Sequence, residues 1–440
     1  MKHVVFIDST ASGLLAFRAA KRIGCHVTFV KPLDSSFINI SIKDDSKLKP
    51  HLEYVDQYLE VSDLQGDALH ALLEEVHHHR PIDAIISTSE AAIVAVAREA
   101  ERFGTLYPSY EALCNAVFKN RCRAVLKDAG VRSPDFEVMS ESDLINNGPS
   151  RVRLPFVVKP TRGFGKQFSA ICKTPEDFAR FVQNVRQSRE QANPMIEQLV
   201  SHEYIVEEYV DGSLHSVEVI VRDGKVYSYA TTVRFRSYYS EMLEMTATMP
   251  SGLSDEANDE MKEYVQQVFS ALKLDVGLYH VELLRDAQGP CLVEINARMM
   301  GSVAPQMYRM LTDIDPFELL VRLHLGEAIT IDDSRLRSAG TVVTVASRYD
   351  GKISAQYDNN ALAPLLKKYD IDFSTLNLFP GREVHMYEGN LSVIGHVIVT
   401  EETPLAAARK GHRFLCDLEN LMGIELGKYF DPATFDMSAA

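Results

Sequence analysis

The alternation of apolar and polar positions changes period repeatedly along the 440 residues, and the changes divide the chain. Val4–Ile7, Val27–Val30, Tyr58–Glu60 and Ala84–Ser87 read as strands. Gly13–Ile23, Leu64–His78 and Ala91–Phe103 between and after them read as helices. Strands alternating with helices predict a parallel α/β domain over residues 1–110. A helix over Pro108–Ala129 should end at Gly130, with Pro134 blocking its continuation. Strand Leu154–Lys159, the basic loop Thr161–Lys166, a returning strand Phe168–Cys172 and a helix capped at Thr174 predict a small α+β unit. With its linking helix, that unit spans 111–200. Strands Ile205–Tyr209, Ser216–Val221, Val226–Val233, Gly277–Leu284 and Cys291–Ile295, with helices over Asp255–Leu272 and Pro316–Leu325, predict a central domain over 201–330. The remainder, 331–440, has strands at Val342–Ser347, Val384–Met386 and Ser392–Val399 and a helix at Pro404–Met422, and reads as a separate lobe.

Within the central domain, Tyr279–Arg285 and Cys291–Arg298 flank a polar loop containing Gly289 and Pro290, the pattern of a β-hairpin. Pairing Arg285 with Cys291 would put Glu282 opposite Glu294. Like charges directly opposed on one sheet face are destabilising, and a divalent cation would reverse that sign. Asn296 shares the face of Glu294 and adds a third oxygen. Two carboxylates and an amide suit a hard cation, and Mg²⁺ so held usually also holds substrate phosphates.

Composition narrows the classes. Hydrophobic residues make up 46% of the chain, as in a folded globular protein of several domains. The formal net charge of −15 argues against a nucleic-acid or anionic-membrane surface. No apolar run approaches the roughly 20 residues of a membrane span. The cysteines at 25, 114, 122, 172, 291 and 416 form no CxxC pair, so buried reduced thiols in a cytoplasmic protein are expected. His77-His78-His79 falls at a helix end, where cations are favoured, and needs no metal. The first turn, Asp8–Gly13, is not a GxGxxG fingerprint and predicts no dinucleotide there.

Lys159 ends an otherwise apolar strand, where a lysine is rarely buried without an anionic partner. Gly163 and Gly165 follow it, and their N–H groups could approach phosphate oxygens closely. Arg162 and Lys166 add positive charge there, and Lys119 is a further phosphate candidate. Ile205–Gly212 reads as a strand running into a turn, with Glu207 near an adenine amine and Asp211 near the ribose hydroxyls. Arg234 and Arg236 could bind a substrate carboxylate. Met242, Met245, Met249, Met299, Met300 and Met307 are candidate pocket lining.

Taken in order, Lys119, Lys159 with its glycine loop, 'VEEYVDG', 'SVEVIV', 'VELL' and 'LVEINAR' resemble the ATP-grasp superfamily of carboxylate–amine ligases over residues 1 to 325. 'EINARMMG', 'EMTATMPS' and the C-terminal region are similar to the L-amino-acid ligases that make dipeptides and dipeptide antibiotics, such as those of the dapdiamide and tabtoxin pathways. The resemblance implies an ATP-grasp fold: an N-terminal Rossmann-like domain, a small α+β lid, a central antiparallel sheet and a C-terminal lobe. It implies ATP and Mg²⁺, small carboxylate and amino-acid substrates, and allows a homodimer.

Residue by residue, it implies that Lys119 and Lys159 contact ATP phosphates beside Gly163, Gly165 and Lys166. Glu207, Glu208, Tyr209 and Val210 would form the adenine hinge, with Asp211 beyond it, and Glu218 would face the ribose or a metal. Glu282, Glu294 and Asn296 would hold Mg²⁺, and Arg298 would stabilise the transferred phosphate. Gly301 would let the backbone approach the substrate, and Glu244 would face the amino acid. Two departures stand out: Thr246-Ala247 replaces a Gly-His pair found in several relatives, and Phe164 splits the loop glycines. The implied reaction forms an amide through an acyl-phosphate, behind a lid over 155–190 that excludes water. The alternatives are a biotin- or purine-type carboxylase, and a nucleotide-binding protein without catalysis.

Overall fold

The computed structural model describes residues 1–33, 48–163, 165, 166, 168–191, 199–329, 336–389 and 392–431. Strands β1 (His3–Ile7), β2 (His26–Pro32), β3 (Gln57–Val61) and β4 (Ala84–Ile86) form a parallel sheet in the order β3-β2-β1-β4. β1 is buried along its whole length, which explains its unbroken apolar run. The order reverses at β1 and β4, so the loops after these strands open a crevice of the kind where α/β sheets bind ligands. The two loops lie in contact: a Cβ at Gly13 would come 1.9 Å from Thr88 Oγ1.

The helix expected over Pro108–Ala129 is broken in two, Tyr110–Val117 and Lys119–Asp128. Phe118 is extended (φ −84°, ψ 112°), and the Lys119 N–H donates to the Thr161 carbonyl at 3.0 Å. That bond ties the start of the second helix to the root of the basic loop.

β5 (Phe136–Ser140), β6 (Phe156–Pro160), β7 (Ala170–Cys172) and β8 (Glu203–Glu208) form an antiparallel sheet, order β5-β8-β6-β7. The domain boundary expected at 200 therefore separates strands of one sheet. β8 lies between β5 and β6 and buries Tyr204 and Val206 with Phe181 and Val185 of the helix Pro175–Gln191.

Next along the chain come β9 (Ser213–Arg222), β10 (Lys225–Arg234), the hairpin of β11 (Arg236–Ser237) and β12 (Ser240–Glu244), β13 (Thr246–Met249), β14 (Gly277–Asp286) and β15 (Gly289–Asn296). β16 (Ala339–Ala346), β17 (Gly351–Lys352), β18 (Phe373–Ser374), β19 (Glu383–Val384) and β20 (Val393–Glu401) complete the set. Eight of these make one antiparallel sheet, order β15-β14-β9-β10-β13-β16-β20-β18. The region from 331 onward is thus not a separate lobe. β16 pairs with β13 from Thr246↔Val343 to Met249↔Gly340 and is buried at every residue, so it cannot serve as the edge of an independent unit. Met249, Met299, Met300 and Met307 belong to the core beneath this sheet, and Met245 to the C-terminal core, rather than lining a pocket. Among the described residues, no helix is long and apolar enough to cross a membrane.

Candidate nucleotide and metal site

The β14–β15 turn is tighter than the sequence suggests. Asp286 faces Gly289, Arg285 faces Pro290 and Leu284 faces Cys291, one residue away from the Arg285–Cys291 pairing expected. Glu282 nevertheless faces Glu294, because the register shifts between Glu282 and Leu283 and Val293 is the extra residue of a β-bulge. A straight ladder from this turn would put Glu294 opposite Val281, on the other face of the sheet from Glu282. Asn296 lies on the Glu294 side and faces His280.

The bulge leaves backbone carbonyls to be satisfied on an edge strand. Arg123 Nη2 donates to both the Leu292 and Val293 carbonyls at 2.8 Å. The same guanidinium gives Nε to Glu207 at 2.8 Å, and Lys159 Nζ lies 2.7 Å from the other Glu207 oxygen. Glu207 thus joins β8 to β6 and to the helix Lys119–Asp128. Burial opposes its charge, but Arg123 and Lys159 outweigh burial and hold its pKa below the usual carboxylate value. For Lys159, burial wins and lowers the pKa.

Around Glu294 the site stays open. Its side chain is 32% exposed and lies 3.3 Å from Lys119 Nζ. Lys119 and Lys159 more than offset burial and keep Glu294 ionised. Arg298 reaches across to the N-terminal domain, donating from Nε to Glu90 at 2.8 Å, and lies 3.4 Å from Asn296 Oδ1. A Cβ on Gly301 would come 3.3 Å from Arg298 Nη1, so this glycine makes room for the arginine. Glu90, Lys119, Arg162, Gly163, Glu294 and Asn296 line one cavity.

A second cluster lies along β9, β10 and β14. Buried Glu218 accepts from His280 Nδ1 at 2.7 Å, and Glu282 lies 3.2 Å from His280 Nε2. Arg234 contacts His280 and Glu244, and Lys166 of the basic loop lies 2.5 Å from the other Glu244 oxygen. Arg234 and Lys166 overcome burial and push the Glu244 pKa strongly down. Glu244 is thus held by two protein cations. Arg236 donates to the Gly212 carbonyl at 2.8 Å, and Tyr209 donates to Glu241. Glu208 and Asp211 are exposed, Val210 is half-buried, and Gly165 has φ +61° in open space.

Sequence reading assigns no role to Arg123, His280 or Glu90. Two of them carry a usable signal: Arg123 is four residues from Lys119 on one helix face, and His280 shares a strand face with Glu282. Glu90 carries none, since its partner Arg298 is 208 residues away.

The donor set fits Mg²⁺. Two carboxylates face each other on one sheet side, an amide oxygen lies on the same strand, and one Glu218 oxygen is buried without a partner. Among the described residues no three His, Cys, Asp or Glu converge on one point.

Residues 17–105 match the ATP-grasp N-terminal domain and 152–306 the ATP-grasp domain. Alanine–anticapsin ligase of Bacillus subtilis is 24% identical over 266 residues, 58% of this chain and 53% of that one. The chain thus spans about half the length of this curated relative. An L-amino acid ligase structure from Bacillus licheniformis superposes with a TM-score of 0.77 at 19% identity, over 98% of this chain and 99% of the other. An ADP complex of N5-carboxyaminoimidazole ribonucleotide synthetase superposes with a TM-score of 0.66 at 16% identity, over 95% and 98%. With both ATP-grasp domains matched over more than half its length and the lid and central sheets arranged as described, the chain belongs to the ATP-grasp family and, within it, resembles the L-amino-acid ligases.

Proposed function

We propose that this protein is an ATP-dependent carboxylate–amine ligase that joins a carboxylate substrate to an amino acid, releasing ADP and phosphate. The observation that carries the reading is the pair Glu282–Glu294, brought face to face beside Asn296, with Lys119 on Glu294. Glu282, Glu294 and Asn296 would hold Mg²⁺, which when bound supplies neutralisation of the nucleotide phosphates. Lys119 and Lys159 bring positive charge to the same end of the sheet, and the strand end Glu207–Val210 would take the adenine.

In the first step a substrate carboxylate oxygen bonds to the γ-phosphorus and the bond to ADP breaks. In the second, the amine nitrogen bonds to the acyl carbon, loses a proton, and phosphate leaves. Arg298, 3.4 Å from Asn296, would stabilise the transferred group. The protein positions and neutralises; no nucleophilic side chain is required. Lys166 and Gly165 on the basic loop would help cover the reaction and exclude water.

The test is ADP and phosphate release from MgATP with single amino acids and with pairs, alongside Glu294→Ala. Release that needs a pair and is lost in the variant is expected. Release with single acids alone, or undiminished in Glu294→Ala, would overturn the reading.

A further inference from the structure

We propose that Arg123 is the positioning residue that sets the register of the β14–β15 hairpin, and so brings Glu294 to the face of Glu282. The functional part of this inference rests on reading Glu282, Glu294 and Asn296 as the Mg²⁺ residues.

The turn alone dictates the wrong register for a metal site. From Asp286↔Gly289 to Leu283↔Leu292 the pairing advances residue by residue, and its continuation would set Glu294 against Val281. Val281 is fully buried in the apolar cluster with Met261, Val265 and Phe269. The straight register therefore places a carboxylate in a hydrocarbon core and takes it from Glu282. Inserting Val293 as a bulge avoids both outcomes, but leaves consecutive carbonyls to be satisfied away from the ladder. A buried carbonyl without a donor is destabilising.

One side chain answers both carbonyls. Arg123 is 1% exposed and its Nη2 bonds Leu292 and Val293 at 2.8 Å each. Its Nε is held by Glu207, which Lys159 also binds, so the guanidinium plane has a fixed orientation. Lys159 Nζ approaches the Val293 carbonyl too, at 3.4 Å, too long to replace the arginine. On the same strand the Leu292 N–H donates to Tyr264 Oη at 2.9 Å, and the Tyr264 hydroxyl donates to the Arg132 carbonyl at 2.6 Å. Lys119, one helical turn before Arg123, meets the Glu294 carboxylate itself. A single helix face thus holds both the backbone and the side chain of the metal strand. A lysine at 123 would keep the charge but lose the planar fork that reaches three acceptors at once.

The test is Arg123→Lys in the full chain, with two readouts besides activity. Hydrogen exchange of the ligand-free protein should be faster at Leu292–Glu294, with the rest of the central sheet unchanged. Mn²⁺ titrated in the presence of ADP should bind about 10-fold or more weakly, as for loss of a supporting contact to a metal ligand. Wild-type exchange at Leu292–Glu294 in the variant would overturn the register role. Wild-type Mn²⁺ affinity would overturn its link to the metal. Wild-type protein that binds no Mn²⁺ with ADP would overturn the metal reading itself, a failure distinct from the first. Should Arg123→Lys not fold, Arg123→Gln removes the planar fork and leaves Lys159 and Glu207 as a neutral pair. Faster exchange at Leu292–Glu294 and weaker Mn²⁺ binding would then support the proposal, and unchanged values would overturn it.

Discussion

Two glutamates in this molecule are each clamped by one arginine and one lysine, and their surroundings make them different devices. Glu207 is held by Arg123 and Lys159, with side-chain exposures of 4%, 1% and 11%. Glu244 is held by Arg234 and Lys166, with 16%, 16% and 32%. Lys159 lies within a strand of the lid sheet, whereas Lys166 stands on the loop beyond it, at φ +64°. A deeply buried clamp is a strut, because removing one charge strands the others in low dielectric. A half-open clamp on a loop can be exchanged for a ligand at small loss, because water and salt already screen it.

The comparison breaks first, if it breaks, at stability. Glu207→Ala leaves Arg123 and Lys159 buried without their counter-ion and should destabilise the fold by about 3–5 kcal/mol in urea unfolding. Lys166→Ala should shift stability by less than about 1 kcal/mol. Equal effects would end the distinction between strut and exchangeable clamp.

A smaller effect sharpens the picture between the two clamps, at His280. Burial disfavours the imidazolium, but Glu218 outweighs it, helped by Glu282, and the pKa is pushed up to about 9. A group raised above its unfolded value near 6.5 stabilises fully below that pH and loses the contribution as pH rises toward 9. Thermal melts of the wild type should therefore fall from about pH 6.5 to 9, by an amount on the order of a few kcal/mol. His280→Gln should flatten that decline. An equally steep decline in the variant would assign it elsewhere.

The remaining expected change is kinetic. Loss of Lys166 removes a charge available to the nucleotide, and Lys166→Ala should reduce kcat/KM for ATP by roughly 10–100-fold, corresponding to a charged hydrogen bond of about 1.5–3 kcal/mol. An unchanged kcat/KM would leave Lys166 as a partner of Glu244 alone.

Local pattern determined much of this protein. The parallel N-terminal sheet, the α+β lid around Lys159, the β14–β15 hairpin and the residues at its ends are written in runs of a few residues, because strand and helix periods are local properties. The opposition of Glu282 and Glu294 was legible too, although the turn is one residue tighter than its sequence suggests and the bulge at Val293 compensates. Only the tertiary structure decided that the helix breaks at Phe118, that β8 completes the lid sheet, and that β16 and β20 continue the central sheet. It alone paired Arg298 with Glu90 and gave the bulge carbonyls to Arg123. These contacts join residues between 169 and 208 positions apart. No periodicity spans such distances. Buried charges and unpaired carbonyls find partners only after the elements have packed.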